Sequence, residues 1–319
     1  MRQISLLNYN QQTKHLLQSL DTVLNNKANN NLFKSNGLLL RVKRFLQEPI
    51  KRSLIKFNVN ILKRKYTFPL KVQTFFGYSM HIFSCDEDLW FYGAITDLAE
   101  VKLTKFILKN IKPDDIFLDI GTHHGFYTLL VHRLLKECGT IHSFESTKLH
   151  FNILKKNIKN KNNIHINKLA LYSKEGNLQF YEHGRGSSTI DKNFFNQTNN
   201  FKHEKFNEIK VKCTTLDQYC ERLNIKPTFL KIDVEGAEFD VLLGAQQTLK
   251  KYSPTIAMEV WRSPLDYSNH IKAINFLIKN NYKPFKINSD GSTHLINQII
   301  PNNNVPSNMT QDNFVFKKI

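Results

Sequence analysis

The sequence predicts an α/β fold, a mostly parallel sheet with helices on both faces, preceded by a basic helical extension. Three observations predict it. Residues 116–119, 140–145, 229–233 and 255–260 are short apolar-rich runs without alternation, as expected of strands covered on both sides. Segments with apolar residues at helical spacing lie between them, so strand and helix alternate along the chain. An acid stands at or near the end of each run (Asp119, Glu145, Asp233, Glu259), and scattered surface carboxylates would not fall there repeatedly.

The elements follow in order. Residues 1–36 are polar, with apolar residues at helical spacing (Leu6, Leu16, Leu17, Leu20, Leu24), and the Asn-rich cluster 25–31 reads as a linker or frayed helix end. Residues 37–65 alternate apolar and basic residues around Pro49. They read as an amphipathic basic helix pair that rests either on the main domain or on a membrane surface. Residues 68–83 alternate aromatic and polar residues and predict two strands around Gly77-Tyr78. A helix over 97–110 and a turn at Lys112-Pro113-Asp114-Asp115 lead into the first central strand. Helices are then expected at 127–138, closing near Gly139, and at 147–159, with a third strand at 164–168. The long connection from there to 229 holds 177–182, the Gly184–Ser188 loop and a strand at 209–214. It reads as a hairpin insertion over the sheet edge, of the kind that forms lids. A helix over 237–250 follows the strand 229–233. The division expected is 1–70 for the extension and 71–319 for the main domain.

Composition limits the classes. The chain has 319 residues, 41% of them hydrophobic, enough for one large domain with extensions or for two domains. No apolar run is long enough to span a bilayer, and residues 1–10 lack a charged-then-apolar leader, so a cytoplasmic protein is expected, peripheral to a membrane at most. Cys85, Cys138, Cys213 and Cys220 form no Cys-x-x-Cys pair, which removes the usual zinc and redox motifs. The net charge of +18 suits nucleic acid, an anionic membrane or an acidic substrate, or simply lysine-covered surfaces. The last reading is preferred.

The residues that carry chemistry gather at the strand ends, where open parallel sheets bind ligands. The first strand runs into Asp119-x-Gly121-x-x-x-Gly125 and then the apolar face of a helix. This is neither the Gly-x-Gly-x-x-Gly of a dinucleotide turn nor a phosphate-gripping P-loop, since no Lys-Ser/Thr follows. An acid before the glycine suits a cationic or hydroxyl-rich ligand better than a pyrophosphate. Glu145 lies about twenty residues on, where doubly wound folds place the carboxylate that grips ribose hydroxyls. Asp233 and Glu235 crowd the turn after the fourth run. They are expected to act as general base or, through hard oxygens, to bind a divalent cation such as Mg2+. Asp233 with Glu259 is the metal pair so expected. Glu238 is read as a helix-dipole partner.

These motifs together resemble the FkbM-type S-adenosylmethionine-dependent methyltransferases. The resemblance rests on residues 119–128, Phe144-Glu145-Ser146, Asn157-Ile158, residues 170–176, Gly186-Ser187-Ser188, Thr215-Leu216-Asp217, residues 230–238 and Leu243-Gly244-Ala245. It covers about 86–260, with a tail at Asn313-Phe314. Thr122 stands where the family usually has Ala, His124 where it has a branched apolar residue, and Ser146 where it has Pro. The resemblance implies the Rossmann-like fold of class I methyltransferases, with a seven-stranded, mostly parallel sheet. It implies that Asp119, Gly121 and His123 border the methionine part of S-adenosyl-L-methionine, that Glu145 takes its ribose, and that Thr122, Gly125, Ser146 and Ala170 complete the cofactor set. It implies methylation of a hydroxyl on a saccharide, glycoconjugate or related small molecule. His183 is either a helping base or an exposed loop histidine, and His124 either a ligand or a packing residue. An RNA methyltransferase is the rival the charge suggests, weakened because the turn at 233–238 lacks an Asn-Pro-Pro-aromatic pattern. A non-catalytic scaffold that binds cofactor or a membrane surface is the other.

Overall fold

The computed structural model describes residues 2–32, 69–83, 86–135, 139–183, 188–189, 206–261, 267–300, 304–305 and 311–319. The basic segment 37–65, most of the Gly184–Ser188 loop, Cys85 and Cys138 lie outside them.

Helix α1 (Arg2–Leu32) is followed by the hairpin β1 (Pro69–Gln73) and β2 (Ser79–Phe83), then α2 (Glu87–Tyr92) and α3 (Leu98–Asn110). The Asn-rich cluster 25–31 is helical in α1, not a linker or frayed end. Asp97 starts α3 by accepting a hydrogen bond from the Ala99 N–H at 2.9 Å, with Glu100 in the first turn.

The central unit alternates strand and helix as the apolar runs predict. It comprises β3 (Ile116–Ile120), α4 (Phe126–Leu134), β4 (Thr140–Phe144), α5 (Lys148–Asn157) and β5 (Ile164–Asn167). The long connection folds as a second sheet of β6 (Ala170–Leu171), β7 (Gly176–His183), β8 (Ser188–Thr189) and β9 (Phe206–Thr214), built on the antiparallel β7–β9 pair. Then come α6 (Leu216–Leu223), β10 (Phe229–Ile232), α7 (Glu238–Leu243), α8 (Gln246–Tyr252) and β11 (Thr255–Trp261). The chain closes with α9 (Tyr267–Lys279), β12 (Lys283–Ile287), β13 (Thr293–Leu295) and β14 (Gln311–Lys317).

The main sheet has the order β13-β12-β14-β11-β10-β3-β4-β5. The five strands from β11 to β5 are parallel, and β14, β12 and β13 pair antiparallel. The expected seven strands are present, and three-residue β13 adds an eighth at the edge. Strand order reverses at β3, which makes its carboxyl end the topological switch point where such sheets bind ligands.

A core lies on each face. One joins α1, the β1–β2 hairpin, α3 and α4 (Leu20, Phe76, Phe106, Leu129). The other joins α6 to α9 (Leu216, Val241, Leu249, Leu277). The single helix expected over 237–250 is broken at Gly244. A Cβ there would lie 2.1 Å from the Tyr172 carbonyl oxygen, and the Asp217 carboxylate caps α8 by accepting from the Gln247 and Thr248 N–H groups at 3.0 and 2.8 Å. No helix among the described residues is long and apolar enough to cross a membrane.

Candidate active site

A cavity of about 690 Å³ opens at the carboxyl ends of β3, β4 and β10. Gly121, Thr122, His123, Glu145, Ser146, Ala170, Asp233 and Glu235 all line it. Asp86, Asp88, Leu89 and, from β7, Leu178 and Phe180 complete the wall, so the inserted sheet shapes the cavity.

The β3–α4 turn is built on two positive backbone angles of glycine, φ +81° at Gly121 and +87° at Gly125. At Gly121 the need for glycine is set by the neighbouring strand end. A Cβ would sit 1.7 Å from the Asp233 carbonyl oxygen. Thus the two loops that carry the predicted residues are packed directly on each other. His123 also has positive φ, +54°, a region in which histidine and asparagine are enriched.

Three predicted residues stand apart from the cavity wall. Asp119 is fully buried, and its Oδ2 accepts hydrogen bonds from Thr122 Oγ1 at 2.6 Å and Thr128 Oγ1 at 2.7 Å. It braces the turn instead of bordering the cavity, because β3 turns its side chain toward α4. Gly125 faces Leu154 instead of the cavity. Glu259 is buried on β11, where its Oε2 accepts from the Trp261 indole N–H at 2.6 Å. Burial, reinforced by the charges of Asp233, Glu235, Glu100 and Glu238, raises its pKa well above the ordinary carboxylate value. Set behind the wall and bonded to Trp261, Glu259 does not share the cavity with Asp233 as the expected metal pair requires. Among the described residues, Asp233 and Glu259 belong to no group of three or more side chains placed to share an ion.

Glu145 is well defined. Its Oε1 accepts from the N–H and Oγ1 of Thr147 at 2.9 and 2.7 Å, and its Oε2 from the His123 N–H at 3.1 Å. Burial lifts its pKa to about 7 against those donors. Asp233 Oδ2 lies 2.9 Å from Lys231 Nζ, and Asp119 Oδ1 lies 4.0 Å from the same nitrogen. Burial alone would lower the pKa of Lys231, but Asp233, Asp119 and Glu100 raise it above the usual lysine value. Glu235 has φ +53°, and Glu238 fixes the turn by accepting from the Val234 and Gly236 N–H groups. Glu238 stands in the first turn of α7, where the dipole role expected of it applies, and the backbone contacts add to that role.

Several residues of the site escape a reading of motifs. Glu100 accepts from the Tyr127 hydroxyl at 2.8 Å and the Asn313 amide at 2.9 Å, tying α3, α4 and β14 together at the cavity edge. Burial raises its pKa, opposed by Lys231. Lys231 did leave a signal, a lysine inside a strand that is otherwise apolar. His124 and His150 are buried and line the cavity beside His123. The His123 ring is open to the cavity but hemmed in by protein. Burial, then His124, His150 and Lys231, hold its pKa well below that of free imidazole. His183 ends β7, and its side chain is outside the described residues.

The methyltransferase FkbM domain model matches residues 119–284. Among solved structures, the chain is similar to a methyltransferase FkbM from Methylobacillus flagellatus KT, at 12% identity and a TM-score of 0.41. That alignment covers 65% of this chain and 44% of the other, so the chain spans less than half of that relative. It is also similar to an O-methyltransferase from Bacillus cereus in complex with SAH (12% identity, TM-score 0.38, 69% and 80% covered). Fibrillarin from Aeropyrum pernix, bound to S-adenosyl-L-methionine, is another (13%, 0.38, 68% and 74%). No curated protein matches.

Proposed function

The chain belongs to the FkbM methyltransferase domain family, and from that premise we propose that it moves a methyl group from S-adenosyl-L-methionine to a hydroxyl of a saccharide, glycoconjugate or related small molecule. The observation that carries this reading is the convergence of Glu145, Asp233 and Glu235, from the ends of two strands that flank β3, on one cavity at the switch point. Its volume lies within the ~300–1,000 Å³ usual for small-ligand sites. Glu145 offers a carboxylate to ribose hydroxyls, and the Gly121–His123 backbone forms the adjoining wall. When bound, the cofactor supplies an electrophilic methyl group on a sulfonium, and most of the rate gain in such an in-line displacement comes from positioning.

The chain's own residues then do three things. Lys231 holds Asp233 in place through Oδ2, which leaves Oδ1 to accept the proton of the attacking hydroxyl. Glu235 lines the cavity from a left-handed backbone in the same turn as Asp233. The inserted sheet, Asp86, Asp88 and Leu89 close the cavity wall and restrict water.

Calorimetry with S-adenosylmethionine and S-adenosylhomocysteine tests the reading. Both bind the wild type. Glu145→Gln, which loses a charge-assisted contact worth about 1.5–3 kcal/mol, weakens binding roughly ten- to hundredfold. Asp233→Asn leaves cofactor affinity nearly intact and abolishes transfer of labelled methyl to hydroxyl acceptors. Absence of binding by the wild type would sink the proposal. Loss of cofactor affinity in Asp233→Asn would sink the role given to that residue.

A further inference from the structure

We propose that His123, His124 and His150 form a site for a divalent transition-metal ion of the imidazole-preferring class, Zn2+ being the natural probe, in the wall of the same cavity. His123 and His124 come from the β3–α4 turn and His150 from the first turn of α5. One ligand nitrogen from each lies within 4.8 Å of the others, and the ring centroids are 3.8, 4.0 and 4.9 Å apart. Consecutive residues seldom turn their side chains to one side. The left-handed backbone at His123 brings its ring against that of His124.

Three features mark a ligand site and set it apart from packed aromatics. First, His124 is 2% exposed, and its Nε2 has no hydrogen-bond partner. A buried polar nitrogen left without a partner costs about 1–3 kcal/mol, and a metal ion would satisfy it. Second, Asp86 Oδ2 lies 3.0 Å from His124 Nδ1, not aligned as a hydrogen bond here but within reach of one after a turn of the ring. A carboxylate behind one ring nitrogen is the usual support for a histidine that binds metal through the other. Third, Phe83 packs edge-on against both buried rings, at 5.0 Å from His124 and 5.6 Å from His150, which gives the site an apolar side. All three histidines line the cavity, so an ion has a path in, and its remaining coordination position faces the cavity. Zn–N bonds of about 2.0–2.1 Å set tetrahedral nitrogens about 3.3 Å apart, so the rings draw together by about 1.5 Å on binding.

The test uses the tag-free full chain, stripped of metal with a chelator and free of nucleoside, so the result is independent of the cofactor reading. Zn2+ is titrated against a chromophoric chelator, and Co2+ is added separately to read its visible ligand-field absorption. The wild type takes up one Zn2+ with micromolar or tighter affinity and gives an intense four-coordinate Co2+ spectrum. His123→Asn, which keeps a residue suited to positive φ, and His150→Gln each weaken Zn2+ by about a hundredfold or more and flatten that spectrum. Asp86→Asn weakens it about ten- to hundredfold. A His15→Gln, His294→Gln double variant, which removes two exposed histidines, binds as the wild type does. Circular dichroism melting confirms that each variant folds. The proposal fails if the wild type binds Zn2+ no tighter than about 0.1 mM. It fails equally if folded His123→Asn and His150→Gln proteins keep wild-type affinity, or if the double variant loses it.

Discussion

Gly77 and Gly121 have nearly the same backbone, φ +87° and +81°, but opposite surroundings. A Cβ on Gly77 meets nothing within 4 Å, whereas one on Gly121 meets the Asp233 carbonyl oxygen at 1.7 Å. Gly77→Ala should therefore cost only the left-handed penalty, about 1–2 kcal/mol. Gly121→Ala adds a collision between two backbones and should lose several kcal/mol, together with cofactor binding. Urea unfolding of both variants checks this, and equal losses would mean that the contact between the two loops is soft. Lys231 shows a different residue-scale constraint. It is a buried cation among Asp119, Asp233 and Glu100, and removing one partner of such a set costs about 3–5 kcal/mol. Its place inside an apolar strand is therefore held by these three acids.

At the scale of elements, the N-terminal helix is part of the main domain's core. Leu16 and Leu20 of α1 are buried in the cluster that contains Phe106 of α3 and Leu129 and Leu130 of α4. Polar ties support the docking. The Tyr9 hydroxyl donates to the Ile111 carbonyl, Lys105 pairs with Asp21 at 2.6 Å, and Lys27 reaches Asp88 at 3.2 Å beside the cavity. Leu20→Ala should destabilise the whole domain by about 2–5 kcal/mol in a single cooperative transition. If the main melting transition stays in place and only a minor one moves, α1 is an independent appendage. The broken helix over α7 and α8 makes a related point. Periodicity alone runs through Gly244, and what stops the helix is a carbonyl from Tyr172 and a cap from Asp217, both distant in sequence.

For the whole molecule, the buried histidines make stability depend on pH. His142, hydrogen-bonded to the Tyr219 hydroxyl at 2.9 Å, has its pKa lowered by burial, and further by His165, from 6.5 to about 4. The unfolded chain takes up a proton near pH 6.5 that the folded chain refuses until about pH 4. Above 6.5 there is no penalty. As pH falls through this window stability drops, by at most about 3 kcal/mol from this residue. Urea midpoints between pH 7 and 4.5 should fall less steeply for His142→Gln than for the wild type, and parallel curves would contradict the assignment. The sequence by itself determined the alternation of parallel strands and helices, the acids at their ends and the glycine turn, because these are periodic or local signals set by backbone sterics and two-sided burial. It also carried enough ordered motifs to mark the family. Tertiary structure alone decided which acids face the cavity. Asp119 and Glu259 turn away from it, while Glu100 and Asp86 enter from segments without a motif. It alone brought His150 to His123 and His124 across 26 residues of chain. The reason is that side-chain direction at a strand end depends on which neighbour packs against it, and that neighbour is remote in sequence.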